Sequence, residues 1–261
     1  MTQHPTVATA TTDATTGFGI DIGGSGVKGA PVDLTTGTFT ADRLRIKTPV
    51  PSTPEAVADV VKEILDHFSW TGAYGVTVPA VVQHGIARTA ANIDHSWIDT
   101  DVDALFEKRT GRNSFVVNDA DAAGLAEVRY GAAKDQPGVV IVTTLGTGIG
   151  SALVYNGVLL PNSELGHIEV DGHDAETRAA ASVKENEDLS YKHWARRLTS
   201  YYLALEKILW PDLFVVGGGV SKDAAKFLPL LEIRTKIVPA VLMNNAGIVG
   251  AAVLSTERAQ T

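Results

Sequence analysis

The chain has 261 residues, 44% of them apolar, with 30 acidic against 22 basic side chains and no cysteine. That length suits one large domain or two lobes, and the missing thiols exclude disulfides, thiolate zinc sites and cysteine nucleophiles. A formal charge of −8 argues against a general nucleic-acid binder, and no run approaches the roughly 18–20 apolar residues of a membrane span.

Residues 1–16, rich in Thr and Ala, lack the basic start and apolar core of a signal peptide and are expected to be a disordered tail on a cytoplasmic protein. Residues 17–32 read as a strand, a glycine turn and a second strand, and Thr35-Thr36-Gly37 turns into a third strand through Ile46. Ser52 or Thr53 then caps a helix with Pro54 at its first position, and Val57, Val61, Ile64, Leu65 and Phe68 recur at helical spacing. Apolar runs at 75–78 and 115–117 follow. Residues 120–130 look helical, with Gly131 at the left-handed stop position.

At 139–144 a strand ends in Leu145-Gly146-Thr147-Gly148-Ile149-Gly150, a second strand runs through Val154, and Asn156-Gly157 makes a tight hairpin. The opening device is thus repeated, which divides the chain into two related α/β lobes, 17–131 and 132–261, with the last helix free to pack back on the first lobe. A long helix over 190–209 ends before Pro211, and the strand at 213–216 runs into Gly217-Gly218-Gly219.

Gly24-Ser25-Gly26-Val27-Lys28-Gly29 matches G-x-G-x-x-G, but a dinucleotide loop must open a helix, and here the chain continues as strand. A glycine hairpin has a different use. Without a Cβ in the way, its backbone N–H groups can approach phosphate oxygens. Two such hairpins across a cleft would hold a phosphate chain, with Gly23, Gly24, Ser25, Gly26 and Lys28 on one side and Thr144, Gly146, Thr147 and Gly148 on the other. Asp21 either organises Mg²⁺ through water or caps the turn.

Asp21-Ile22-Gly23-Gly24-Ser25, Asn118-Asp119-Ala120-Asp121, the Leu145–Gly150 loop, Glu164-Leu165-Gly166-His167 and Gly217-Gly218-Gly219-Val220-Ser221 resemble, in order, the motifs of the ROK family of sugar kinases. More narrowly, residues 91–98, Pro161-Asn162-Ser163-Glu164 and residues 246–252 resemble the family's actinobacterial polyphosphate-using glucokinases. The resemblance implies an actin-like ATPase (ribonuclease H-like) fold, two α/β lobes around a cleft, in a homodimer. It further implies phosphoryl transfer to the 6-hydroxyl of glucose with Mg²⁺ and polyphosphate or ATP as donor. An ATP-dependent kinase of glucose, mannose or an amino sugar is the alternative, and a sugar-sensing regulator a more remote one.

Phosphorylating a hydroxyl needs a carboxylate beside the attacking oxygen. Asp119, at the carboxyl end of an apolar strand, fits that role. Asp121 competes for it, and either Asn118 or Asp119 can cap the following helix; the family motif favours Asp119 as the catalytic residue. Glu164 and His167 pair a carboxylate with an imidazole, which suits adjacent sugar hydroxyls and also resembles half a zinc site. In many relatives that histidine begins a zinc module with three cysteines; none exists here, so no zinc is expected. Glu176 is the carry-over for a sugar-binding glutamate. Asn92, Asp94 and Asn118 complete the sugar pocket implied by the resemblance.

Gly217, Gly218 and Gly219 are the candidates for an adenosine pocket. Polyphosphate needs a run of cations, and Lys192, Arg196 and Arg197 are expected to share one side of the long helix, with Lys184 extending the track.

Overall fold

The computed structural model describes residues 15–91 and 93–259; most of the expected tail lies outside them. Strands β1 (Thr16–Gly23) and β2 (Gly26–Asp33) form the first hairpin around Gly24-Ser25. Alternation puts Phe18, Ile20 and Ile22 on one face, each almost fully buried, and Gly17 and Gly19 on the other. The expected single third strand is instead two short ones, β3 (Thr38–Phe39) and β4 (Leu44–Ile46), both paired to β2. The chain bends between them, where Asp42 and Arg43 are exposed and interrupt the alternation.

Helix α1 (Pro54–His67) is capped by Thr53, whose Oγ1 accepts the Ala56 N–H at 3.3 Å. Its buried stripe of Val57, Ala58, Val61, Ile64 and Leu65 covers the Phe18 face of the sheet. Next come β5 (Tyr74–Val78), a small hairpin of β6 (Val82–Gln83) and β7 (Ile86–Ala87), α2 (Val102–Thr110), β8 (Ser114–Asn118) and α3 (Asp119–Tyr130). The sequence pattern did not reveal α2: nine residues, three of them buried, carry too little apolar periodicity. Gly131 is a correction, since its φ of −115° is not left-handed. Glycine is needed there for room: a Cβ would lie 2.0 Å from the Glu127 carboxylate, which accepts the Ala132, Val241 and Leu242 N–H groups.

The second half repeats the first. Strands β9 (Val139–Leu145), β10 (Ile149–Tyr155) and β11 (Val158–Leu160) form a meander, with Asn156 and Gly157 both at positive φ in its second turn. A two-stranded ribbon of β12 (Glu169–Val170) and β13 (His173–Asp174) leads to α4 (Glu176–Ala179) and α5 (Ala181–Asn186). Ser190 caps α6 (Tyr191–Leu209), followed by β14 (Leu213–Gly217), β15 (Lys236–Pro239) and α7 (Ala246–Ala259). The sheet orders are β3-β2-β1-β5-β8 and β11-β10-β9-β14-β15. In each, three antiparallel strands are extended by two parallel ones, β5 and β8 or β14 and β15.

The two sheets face each other across α7 and α3. Helix α7 lies on the first sheet so closely that a Cβ on Gly19 or Gly75 would stand 1.8 or 1.9 Å from its carbonyl oxygens. Helix α3 lies on the second, where Gly124 meets Ala152. Outside the second sheet, α6 contributes Trp194, Leu198, Tyr201, Tyr202 and Leu205 to a core shared with Phe214 and Phe227. No helix among the described residues is long and apolar enough to cross a membrane.

Candidate active site

Strands β1, β8, β9 and β14 all end toward one open cleft of about 610 Å³, the side of an α/β sheet where ligands bind. Its lining brings together Asn118, Asp119, Thr144, Gly146, Thr147, Gly148, Glu164, His167, Glu176 and Gly218. Ten residues singled out from sequence, spread over about a hundred positions, therefore share one cavity of a size that holds a sugar and a phosphate chain.

Asp119 is the first residue of α3, directly after β8. Its carboxylate meets water in the cleft, yet protein surrounds it on the other sides. That desolvation, with Asp21 and then Glu164 as neighbouring like charges, pushes its pKa up to about 6. A carboxylate so placed is poised near neutral pH to accept a proton. Asp121 is turned away into the protein, 1% exposed. Burial pushes it up to about 7, although the Asn162 N–H donates to its Oδ2 at 2.7 Å. Asn118 requires a correction as a sugar ligand. Its Oδ1 accepts the Ala120 and Asp121 N–H groups and its Nδ2 donates to the Ala80 carbonyl, so the amide is consumed in capping α3 and shaping the wall.

The acid–base geometry yields a pH prediction. Only ionised Asp119 can accept a proton, so kcat/KM is expected to be level above about pH 6 and to fall by about tenfold per pH unit below it. A profile flat down to pH 5 would remove Asp119 from that role.

Asp21 sits opposite Lys28 in the β1–β2 register. Lys28 Nζ donates to its Oδ2 at 3.1 Å and Thr77 Oγ1 to its Oδ1 at 2.9 Å. Lys28 is thus committed to Asp21 first, and Thr77 is a partner that sequence reading did not find because it lies 56 positions away. The cation at the first glycine turn is Arg45, also missed: its Nη2 donates to the Ser25 carbonyl at 2.8 Å, and a Cβ on Gly26 would collide with its guanidinium. Thr48 Oγ1 holds the Gly23 carbonyl at 2.5 Å. At the second hairpin, Ser182 braces the tip, its N–H donating to Gly146 and its Oγ to Thr147.

Glu164, His167 and Glu176 face this hairpin. Glu176 Oε2 accepts the Ile149 N–H at 3.0 Å, so the sugar-side carboxylate is physically joined to the phosphate-side loop. The β12–β13 ribbon supplies a further residue, Asp174. Its Oδ2 lies 2.9 Å from His167 Nδ1 and its Oδ1 accepts the Glu176 N–H at 3.1 Å. The first of these bonds raises the His167 pKa, and leaves Nε2 facing the Glu164 carboxylate at 3.9 Å. Ligand atoms of His167, Asp174 and Glu176 fall within 4.8 Å of one another, close enough for a divalent cation to bridge, although each carboxylate already accepts a hydrogen bond.

Other expectations are redistributed. Asn92 lies outside the described residues. Asp94 does not line the cleft: its Oδ1 caps the turn His95–Trp97 by accepting from Ser96, and Trp97 anchors that turn by donating to the Ser52 carbonyl at 2.7 Å. Of the three glycines after β14, only Gly218 lines the cleft, at φ +82°, where a Cβ would meet the Leu145 carbonyl at 2.3 Å. Lys184 reaches over the Tyr191 ring, beside Lys226, and Lys192 and Arg196 are exposed on the adjoining helix. Arg197 does not belong with them. Helical rotation of roughly 100° per residue turns it to the other side, where it donates to the Glu187 carboxylate at 2.6 Å and the Arg178 carbonyl at 3.2 Å.

Comparison with known proteins agrees with this geometry. A model of the ROK family matches residues 17–182. The chain is 54% identical, over 98% of its length and of the relative's, to a polyphosphate glucokinase of Mycobacterium tuberculosis strain CDC 1551 / Oshkosh. It superposes with a TM-score of 0.89 and 50% identity on the inorganic polyphosphate/ATP-glucomannokinase of Arthrobacter sp. strain KM, covering 94% of this chain and 99% of that one. A ROK glucokinase from Streptomyces griseus, solved with glucose and AMPPNP, shares the fold at 24% identity and a TM-score of 0.79, over 93% and 99% of the two chains. The architecture is therefore the actin-like ATPase fold, two α/β lobes around a cleft.

Proposed function

The chain belongs to the ROK family, and from that membership we propose that it transfers a phosphoryl group from inorganic polyphosphate, and also from ATP, to the 6-hydroxyl of glucose. The observation that carries this reading is Asp119 at the base of one cleft with both glycine hairpins and the Glu164, His167 and Glu176 group. In it, Glu164, His167 and Glu176 bind and orient the sugar. Asp119 accepts the proton of the attacking hydroxyl. The hairpins bind the donor phosphates through backbone N–H groups, and closure of the lobes excludes the water that would otherwise take the phosphoryl group.

Mg²⁺ fits the residues present. Asp21 is the largest like charge acting on Asp119, and two carboxylates facing one cleft are the oxygen ligands this ion takes, with its waters retained. Asp21 and Asp119 would hold it, and bound there it would supply charge neutralisation on the donor phosphates. We assign the polyphosphate path to Lys184, Lys192 and Arg196, because α5 begins at Ser182's contact with the hairpin tip and Lys184 leads from it to Tyr191 on α6. Gly217, Gly218 and Gly219 are proposed for the nucleotide. A cytoplasmic homodimer completes the reading; the exposed Leu203, Ile208 and Trp210 on and after α6 are apolar surface that a second copy would cover.

The test is glucose 6-phosphate formation by nucleotide-free protein with polyphosphate or ATP as sole donor. Product is expected with both, and a Lys192→Ala/Arg196→Ala variant should lose about tenfold in kcat/KM with polyphosphate while ATP use changes less. No product with either donor would reject the proposal, and equal losses would reject the path.

A further inference from the structure

One wall of the cleft is formed by Pro79, Ala80, Val81, Thr89, Ala90 and Ala91. It is knitted to itself. The Arg88 N–H donates to the Val81 carbonyl at 2.8 Å, the Ala91 N–H to Pro79 at 3.0 Å and the Val81 N–H to Thr89 Oγ1 at 2.9 Å. The facing wall carries Glu164 on the loop after β11. A single half-buried side chain, Asn162, joins the two.

The Asn162 amide binds both backbone groups of Val82. Oδ1 accepts the Val82 N–H at 2.9 Å and Nδ2 donates to the Val82 carbonyl at 2.8 Å. A side-chain amide here does what a neighbouring strand would do for β6. The Asn162 backbone, in the left-handed region at φ +59°, donates its N–H to Asp121 Oδ2 at 2.7 Å. Asp121 is fully buried, and its Oδ1 has no hydrogen-bond partner, so its carboxyl group depends on the bond to Asn162. It sits two residues after Asp119 on α3. Downstream, Ser151 Oγ donates to the Ser163 carbonyl and accepts the Leu165 N–H at 2.9 Å, which holds Glu164 between two fixed neighbours. The wall, the Glu164 loop and the helix that begins with Asp119 therefore converge on Asn162.

We propose that Asn162 is a positioning residue for the sugar: by clamping Val82 to the Glu164 loop and anchoring that loop on Asp121, it sets the width of the acceptor pocket relative to Asp119. This rests on the reading that Glu164 holds the sugar. The donor hairpins are braced separately, by Arg45 and by Ser182, so the clamp acts on acceptor affinity and not on donor affinity.

Asn162→Gly isolates the clamp. Glycine keeps the left-handed backbone and the N–H to Asp121 while deleting both bonds to Val82. With the full-length protein, the KM for glucose is expected to rise about tenfold, with kcat within about threefold and the KM for polyphosphate and ATP unchanged. Calorimetric titration of glucose into the donor-free variant should show the same tenfold loss, and hydrogen exchange in a peptide covering 79–91 should accelerate while β5 and β8 stay protected. A folded Asn162→Gly variant with wild-type glucose affinity, or with donor and glucose KM rising in parallel, overturns the proposal. A wild-type protein that makes no glucose 6-phosphate overturns the functional reading instead, and exchange at 79–91 then still reports whether the clamp exists.

Discussion

Replacing Asp119 with Asn is expected to lower kcat by about a thousandfold, within the roughly 10²–10⁴ that a positioned general base contributes, while glucose continues to bind. The amide has the size of the carboxylate and can still accept the Ala120 N–H, as Asp119 Oδ1 does at 2.8 Å. The start of α3 should therefore keep its geometry, since Asn118 caps it independently. What disappears is the ability to take the sugar's proton. The substitution also removes a charge that desolvation, Asp21 and Glu164 all disfavour, so the variant should be at least as stable as the wild type even as turnover collapses. Rapid-quench turnover together with glucose calorimetry and a thermal melt separates these effects. Retained turnover would transfer the role elsewhere, first to Asp121, although its burial and its bond to Asn162 turn it from the cleft.

Gly250→Ala addresses the layer that joins the lobes. A Cβ at Gly250 would stand 1.8 Å from the Ala122 carbonyl oxygen and 2.5 Å from its carbon, a clash of α7 with the backbone of α3 that no rotamer change relieves. Overpacking against backbone should cost about 3 kcal/mol, which for a chain of this size lowers Tm by about 6–12 °C. Helix α7 is pressed on its other side by the first sheet, where Gly19 and Gly75 approach its carbonyls, so it cannot retreat without opening the Ile248, Val249 and Ala252 core. Because Ala122 is three residues after Asp119, the displacement should also reach the catalytic end of α3 and reduce activity. Differential scanning calorimetry decides the matter, and an unchanged Tm would mean that the helices separate at little cost.

Local chemistry made the site motifs legible. The two glycine hairpins follow from period-two alternation interrupted by residues without a Cβ, and Thr53, Ser190 and Pro54 mark helix starts by side-chain capping and a preset φ. Asp119 was recognisable because an apolar strand ends immediately before it. Arg197 was misplaced by the same local reasoning. Spacing put it with Lys192 and Arg196, but its orientation was decided by Glu187 and the Arg178 carbonyl, on a different element. Asp94 was read as a pocket residue although a cap at Ser96 satisfies it.

By itself, the sequence determined the duplicated strand–turn–strand framework, the polarity of each helix and the identity of the groups able to bind phosphate and accept a proton. These depend on contacts between residues a few positions apart, where backbone geometry is nearly the same in any fold. Only the tertiary structure decided which groups meet. Thr77 reaches Asp21 across 56 positions, and Asn162 reaches Val82 across 80. Glu176 is hydrogen-bonded to the Ile149 N–H, and α7 returns to within a backbone contact of β1 and β5. Such partners are selected by sheet order and by the glycine-lined spacing of the layers, and neither leaves a period in the local sequence.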